Sequence, residues 1–126
     1  MNKAFTVLTV IYGLFWLIFG LNGFVHFFPI PEPAGEAGEL MTALTRSGYI
    51  IPLVYGSEIA GGILLLSLRF VPLGLLILAP VVFNILLYDL FLNPKGLFIG
   101  IILTAIHALL LWRVRPAFYP ILKPSK

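Results

Sequence analysis

Two ionisable residues of this 126-residue sequence, Glu58 and His107, lie in the middle of long apolar runs. A charged side chain at the centre of a bilayer costs at least about 2.5–3.5 kcal/mol on insertion scales, so the charge must be neutralised or shared. A carboxyl or imidazole group at that depth can exchange a proton with a lipophilic ligand, as quinone reduction or release demands. We therefore predict a proton-handling role for both residues, with Glu58 either protonated or sharing a proton with His107.

Five further polar residues lie in or near the same apolar runs: Asn22, His26, Asn84, Tyr88 and Asp89. At about 1.5 Å per helical residue, Asn22 lies about 9 Å and Asn84 about 12 Å below the outward end of its run. His26 and Asp89 lie at the rim, only about 3–5 Å deep. We expect Asn22, Asn84 and Tyr88 to orient the polar head of a ligand, and His26 and Asp89 to form the outward mouth of the site.

Helical spacing places some of these groups on common faces. Asn22 and His26 are four residues apart and share a face, as do Asn84 and Tyr88. If every polar face points inward, the chain encloses a cavity that is polar in its outer half and apolar below. Its apolar wall would include Phe15, Trp16, Phe19 and Phe83. The alternative is that these polar groups are interhelical hydrogen-bonding partners with no ligand at all.

Other kinds of chemistry have weaker support. The His and carboxylate residues come from separate runs without an H-x-x-E or H-x-x-x-H spacing, so we predict no metal site. No P-loop, G-x-S-x-G or dinucleotide fingerprint is present. The chain has no cysteine, which excludes thiol redox chemistry and structural disulfides. No catalytic residue can be assigned, and whether the protein is an enzyme stays open.

The composition indicates where these residues must be placed. Hydrophobic residues make up 60% of the chain and charged residues only 10%, with a mean hydropathy of +1.07. A soluble domain has about 25% charged residues, so this chain cannot cover a water-facing surface. A net charge of +3 without a basic cluster also argues against nucleic acid as a partner. The protein is predicted to reside in the lipid bilayer.

Four apolar runs are long enough to cross a bilayer of about 30 Å: residues 4–28, 49–68, 71–92 and 97–112. We predict a single transmembrane domain over residues 1–126, an all-α antiparallel bundle of four transmembrane helices. A signal peptide is the competing interpretation of the first run, which is too long for a typical h-region. Residues 33–47, within the outward loop 29–48, form either a short amphipathic helix or an ordered polar loop.

The basic residues predict the orientation of these runs. One side would hold Lys3, Arg69, Arg113, Arg115, Lys123 and Lys126. The other side would hold only Arg46 and Lys95, together with the acidic residues Glu32, Glu36 and Glu39. Because cytoplasmic loops carry the excess of Lys and Arg, we expect both termini to be cytoplasmic and the acidic loop to face outward.

Small residues and one proline predict how the runs pack. Gly13 and Gly20 lie seven residues apart on the first run, and the second run carries Gly56, Ala60, Gly61 and Gly62. Small residues let transmembrane helices approach closely. Pro80 interrupts the third run and leaves the carbonyl group of Leu76 without its helical donor.

The chain resembles the DoxX-like family of small bacterial four-helix membrane proteins. The resemblance rests on Leu21-Asn22-Gly23-Phe24, His26-Phe27-Phe28-Pro29, Glu58 with Gly61-Gly62, Arg69-Phe70-Val71-Pro72-Leu73, Leu78-Ala79-Pro80-Val81-Val82-Phe83-Asn84-Ile85 and Phe91-Leu92-Asn93-Pro94-Lys95-Gly96-Leu97. It covers nearly the whole chain and implies a four-helix membrane bundle. Some members of the family are named as subunits or partners in quinone-linked sulfur oxidation or in membrane oxidative-stress complexes.

Taken together, the residues and the resemblance predict an accessory protein of a membrane redox system in the bacterial inner membrane. It would bind a lipophilic, quinone-like molecule in an outward-facing intramembrane cavity, and a quinone is the one cofactor we consider. Its partners would be the bilayer, that ligand, and either a membrane redox protein or further copies of the chain. The alternatives are a scaffold or assembly factor without a ligand and, with less support, a proton-coupled carrier.

Overall fold

The computed structural model describes residues 2–29 and 33–124 of the chain. Glu32 of the predicted acidic loop and the predicted cytoplasmic Lys126 lie outside the described residues. The described part is helical throughout and contains no strand. Its helices are α1 (Lys3–Val25), α2 (Gly35–Arg46), α3 (Ile50–Leu66), α4 (Val71–Phe91), α5 (Leu97–Arg113) and α6 (Tyr119–Leu122), with 3₁₀ turns at Pro94–Gly96 and Arg115–Phe118.

Within residues 2–29 and 33–124, three segments are long and apolar enough to cross a membrane: α1, α4 and Pro94–Arg113, which contains α5. A fourth crossing is available if α2 and α3 count as one span, although they meet at a bend of 90°. Only 28% of the most apolar window of α1 and of α4, and 22% of that of Pro94–Arg113, is buried inside the protein. Large apolar side chains therefore cover the outside, which suits lipid and not water.

The bounds of the helices follow from local signals in the sequence. The Asn2 side chain caps α1 by accepting the backbone N–H of Phe5 at 3.0 Å. At its other end α1 stops at Val25, three residues before the predicted end of the first apolar run. His26 adopts a left-handed conformation there, with φ of 62°, which ends the helix. The predicted run continues because Phe27 and Phe28 are apolar, and apolarity does not reveal where a backbone turns.

Within residues 33–47, Gly35–Arg46 form a helix, α2, and so the helical alternative for this segment is confirmed. Its inner face is Ala37, which is buried, and Met41 and Leu44, which are partly buried. Leu40, one residue before Met41, is more exposed. Gly48 follows with φ of 81°, a conformation that suits glycine, and lets the chain turn sharply into α3.

Helix α3 lies between α1 and α4, and α5 packs on the other side of α4. Along α1, Gly13 lies against Gly62 and Gly20 lies against Ile59, so α1 and α3 run in opposite directions. The closest approach is at Gly62, where an added Cβ would lie 2.8 Å from the backbone of α1. The buried core between the helices contains Tyr12, Trp16, Leu65, Leu75, Leu78 and Leu110.

Candidate functional site

An open cleft of about 1880 Å³ lies between the end of α1, helix α2 and the start of α3. Of the residues predicted from the sequence, Asn22 and His26 line it. Phe27 and Phe28 contribute aromatic surface, and Tyr55 of α3 closes the end nearest the bundle. The cleft therefore combines polar groups with apolar walls, the composition typical of sites for small organic ligands.

Asn22 connects the cleft to the turn that ends α1. The side chain is only 3% exposed, and its Oδ1 accepts the backbone N–H of Phe28 at 2.9 Å. The Nδ2 group of Asn22 has no hydrogen-bond partner among residues 2–29 and 33–124. Asn22 thus holds the turn through its oxygen, and no described residue accepts a hydrogen bond from its Nδ2.

His26 sits at the outer edge of the same cleft. Its backbone N–H donates to the carbonyl oxygen of Asn22 at 2.8 Å, and its side chain is exposed. A left-handed conformation costs an L-residue other than glycine about 1–2 kcal/mol. Strained residues of this kind cluster at functional sites, so the left-handed conformation of His26 makes this edge of the cleft a candidate site.

Tyr55 and Arg46 are among the residues of the cleft that the sequence did not single out as site residues. The ring of Tyr55 packs on the backbone of Gly23 and meets the ring of Phe24 edge-on at 6.0 Å. Arg46, in the last turn of α2, brings a positive charge to the cleft. One signal for Arg46 was present in the sequence: it is one of only two basic residues on the predicted outward side.

Glu58 is buried, with 6% of the residue exposed, on the face of α3 that carries Gly61 and Gly62. It lies one helical turn beyond Tyr55 and does not line the cleft. Within the described residues, the Glu58 carboxyl has no hydrogen bond and no ion pair.

His107 is paired with a residue other than the predicted one. Its Nδ1 lies 2.7 Å from the Tyr12 hydroxyl, in a buried hydrogen bond between α5 and α1. Its Nε2 is buried and has no hydrogen-bond partner among the described residues. The structure therefore does not form the direct pair of Glu58 with His107. The sequence did not single out Tyr12, because a tyrosine in an apolar run reads as core packing.

A column of aromatic rings extends along α1 beside this pair. Tyr12 meets Trp16 edge-on at 5.9 Å, and Phe15 stacks between Trp16, at 5.0 Å, and Phe19, at 4.5 Å. Phe19 in turn contacts Phe28 at 5.4 Å, so the column reaches the cleft. Three of the four predicted wall residues are thus neighbours. Phe83, the fourth, is exposed on the outside of α4 and belongs to no inner wall.

Asp89 does not form an outward mouth with His26. Its carboxyl group is buried in the turn between α4 and α5, where Oδ1 accepts the Asn93 side-chain amide at 3.2 Å. The carboxyl lies directly against Gly96 and Gly100, whose Cβ atoms would approach it to 2.9 and 2.8 Å. A carboxylate beside the start of α5 is also favoured by the helix dipole. Asp89 therefore stabilises the turn.

Asn84 and Tyr88 lie on α4 and do not line the cleft. Asn84 is exposed on the outer surface of the protein, and Tyr88 is partly buried. The predicted set of seven residues is consequently distributed over four places: the cleft, the buried face of α3, the Tyr12–His107 pair and the outer part of α4. Periodicity assigned faces to helices, but it did not say which neighbour each face meets.

Comparisons with known proteins add no assignment. No family model matches the chain, and neither a curated protein nor a solved structure does. Among the residues that the structure describes, no group of three or more His, Cys, Asp or Glu side chains could hold a metal ion. The functional argument therefore rests on the cleft and its surroundings.

Proposed function

We propose that the protein is an integral membrane protein of the bacterial inner membrane in which α1, α3, α4 and α5 each cross the bilayer. Helix α3 has 17 residues, about 25 Å of helix, which is at the short end of the range for a span. The four helices form an antiparallel bundle, both termini are cytoplasmic, and α2 lies at the outer surface. The excess of Lys and Arg at the ends assigned to the cytoplasm supports this orientation.

The bundle binds a lipophilic small molecule in the outward cleft. The observation that carries this proposal is the Asn22 amide in the wall of a cleft with aromatic sides: its Oδ1 accepts the backbone N–H of Phe28, and no described residue accepts a hydrogen bond from its Nδ2. An acceptor on a ligand would give this Nδ2 a hydrogen-bond partner. Asn22, His26 and Tyr55 can all donate a hydrogen bond, which suits a ligand with carbonyl oxygens on an apolar ring.

A quinone fits these requirements, since it offers two carbonyl acceptors on a flat apolar ring. When bound, it would supply electron and proton transfer, the chemistry of an accessory to a membrane redox system. The resemblance to DoxX-like proteins supports that context. Glu58 would hold a proton behind Tyr55, one helical turn below the cleft. His107 would act further in, through Tyr12.

The test is to purify the protein in mild detergent and to quantify bound lipids and quinones. His26→Gly removes a cleft side chain and also relieves left-handed strain, so it should bind less ligand while unfolding at a higher temperature. Leu68→Gly is the matched control, because Leu68 has φ of 59° and lies beyond α3, outside the cleft. Leu68→Gly should gain similar stability, about 1 kcal/mol, and keep the ligand.

Glu58→Gln extends the test to the predicted proton holder. The amide keeps the shape of the side chain, so we expect an equally folded protein that retains less of the ligand. Equal trace amounts of lipophilic molecules in the wild type and all three variants would rule out the binding function.

That outcome would favour the second candidate, a scaffold or assembly factor. One observation supports it: Asn22, His107 and Asp89 all have bonds that hold the protein together. In that case the polar side chains act as interhelical and turn contacts. A partner protein would then co-purify with the chain, and Glu58→Gln would leave the amount of bound partner unchanged.

A further inference from the structure

Asn84 is exposed on the outer surface of α4, seven residues before the end of the helix at Phe91. At 1.5 Å per residue, the side chain lies about 10 Å below that end, too deep for a short amide to reach the headgroups. Its amide makes no hydrogen bond with any residue of the described part of the chain. With α4 crossing the bilayer as proposed above, an amide that faces hydrocarbon without a partner costs several kcal/mol, so Asn84 requires a partner beyond the described residues.

A second unsatisfied group lies on the same surface. Pro80 and Leu76 are both exposed, and Pro80 lies one turn from Asn84. Because proline has no backbone N–H, it cannot donate a hydrogen bond to the carbonyl of Leu76. In lipid, a carbonyl freed by proline is normally satisfied by a neighbouring helix or a side chain. The surface of α4 that carries these two groups will be called the Asn84 face. It consists of Leu73, Leu76, Pro80, Asn84, Leu87 and Phe91.

We propose that the Asn84 face binds a second copy of this chain in the membrane. A primary amide has two donor hydrogens and an acceptor oxygen, so it is complementary to itself. A two-fold axis along the membrane normal places Asn84 opposite Asn84 at the same depth, and each Nδ2 donates to the other Oδ1. Symmetry supplies the matched depth and chemistry that an unrelated partner would need by coincidence. The surrounding leucines and Phe91 complete the contact with apolar surface.

The absence of cysteine from the sequence allows a direct test by single-cysteine crosslinking in native membranes. Phe91→Cys reports on the Asn84 face without changing Asn84, and its residue is 73% exposed. Phe98→Cys is the control, because Phe98 is 69% exposed in the first turn of α5, on the same side of the membrane. We expect mild oxidation to give a disulfide-linked dimer with Phe91→Cys and only background with Phe98→Cys.

Asn84→Leu in the Phe91→Cys background tests whether the Asn84 amide is what holds the dimer together. Leucine is better suited to lipid than asparagine, so the monomer should stay folded, which its thermal unfolding in detergent verifies. We expect the crosslinked dimer to be lost. We also expect Förster resonance energy transfer between fluorescently labelled copies in liposomes to fall to background. The proposal is overturned if Asn84→Leu leaves the dimer intact, if both cysteine positions crosslink equally, or if neither does. None of these results depends on how much ligand the protein contains, so they test the dimer independently of the proposed ligand-binding function of the cleft.

Discussion

Tyr12 and His107 are 95 residues apart in the chain, and their hydrogen bond joins α1 to α5. This bond matters because α1 and α5 otherwise pack loosely and leave a shallow apolar groove between them, lined by Ile11, Phe15, Ile102 and Ile106 among others. The indole N–H of Trp16 lies near the Tyr12 hydroxyl but does not reach an acceptor in good geometry. The Tyr12–His107 pair therefore holds α1 and α5 together where apolar contacts between the two helices are few.

A double-mutant cycle on Tyr12→Phe and His107→Leu should detect this bond. Each single variant leaves the other polar group buried without a partner, so we expect each to lower the free energy of unfolding by about 1–3 kcal/mol. The double variant should be more stable than the sum of the two losses predicts, by about 0.6–1.7 kcal/mol of coupling. The measurement is reversible unfolding in mixed micelles. Strictly additive losses would show that the hydrogen bond contributes nothing to stability. The control is Tyr119→Phe at an exposed site, which should leave the free energy of unfolding unchanged.

The contact between α1 and α3 decides how closely these two elements approach. Gly62 faces the carbonyl oxygen of Gly13 and the backbone nitrogen of Leu17, while Gly20 faces the backbone at Tyr55 and Ile59. Without side chains at these positions, the backbones come into direct contact. The same face of α3 carries Glu58, so the glycine contact also sets the position of that carboxyl group.

Gly62→Ala and Gly56→Ala provide a matched pair of substitutions on α3. A Cβ at position 62 would lie 2.8 Å from two backbone atoms of α1, and backbone cannot move aside as a flexible side chain can. The helices must separate, and we expect a loss of about 1–3 kcal/mol in the free energy of unfolding. At position 56 nothing lies within 4 Å, so alanine should be neutral or stabilise the helix by about 0.5–1 kcal/mol.

Thermal unfolding in one detergent compares the two variants directly. Equal midpoints would mean that α1 and α3 do not touch at Gly62. A loss at Gly56 alone would instead place the buried side of α3 on its opposite face, around Gly56 and Ala60.

At the scale of the whole molecule, the number of crossings depends on α3, which has 17 residues, as many as α5, but no preceding 3₁₀ turn in line with it to lengthen the span. If α3 crosses the bilayer, Glu36 on α2 and Arg69 after α3 lie on opposite sides. If α3 only re-enters from the surface, both residues lie on the same side. The 90° bend between α2 and α3 is compatible with either arrangement.

Labelling with a membrane-impermeant maleimide distinguishes these arrangements. We expect Glu36→Cys and Lys95→Cys to react in intact cells, and Arg69→Cys to react only after permeabilisation. All three residues are exposed, so a lack of reaction cannot be attributed to burial. Reaction of Arg69→Cys in intact cells would reduce the spans to three and contradict the four-crossing arrangement.

Much of the fold can be read from the sequence, because each element depends on local signals. The predicted runs agree with α1, α3, α4 and α5 to within three residues at every end, and the helical alternative for residues 33–47 is confirmed. The polar residues also stand out, because so few occur among apolar neighbours. What local signals did not supply was the rotation of each helix about its own axis.

That rotation was decided by tertiary packing, and the physical reason is the solvent. In water, an apolar stripe identifies the buried face of a helix. Lipid is as apolar as the protein core, so the lipid-facing and the core-facing sides of these helices have similar compositions. The contacts of Gly13 with Gly62 and of Gly61 with Leu78 set the rotations instead. As a result, Asn84 faces outward, Asp89 packs into its own turn, and His107 meets Tyr12. The sequence alone determined that this chain is helical, apolar enough for a membrane and provided with buried polar groups, whereas only the tertiary structure decided which of those groups meet.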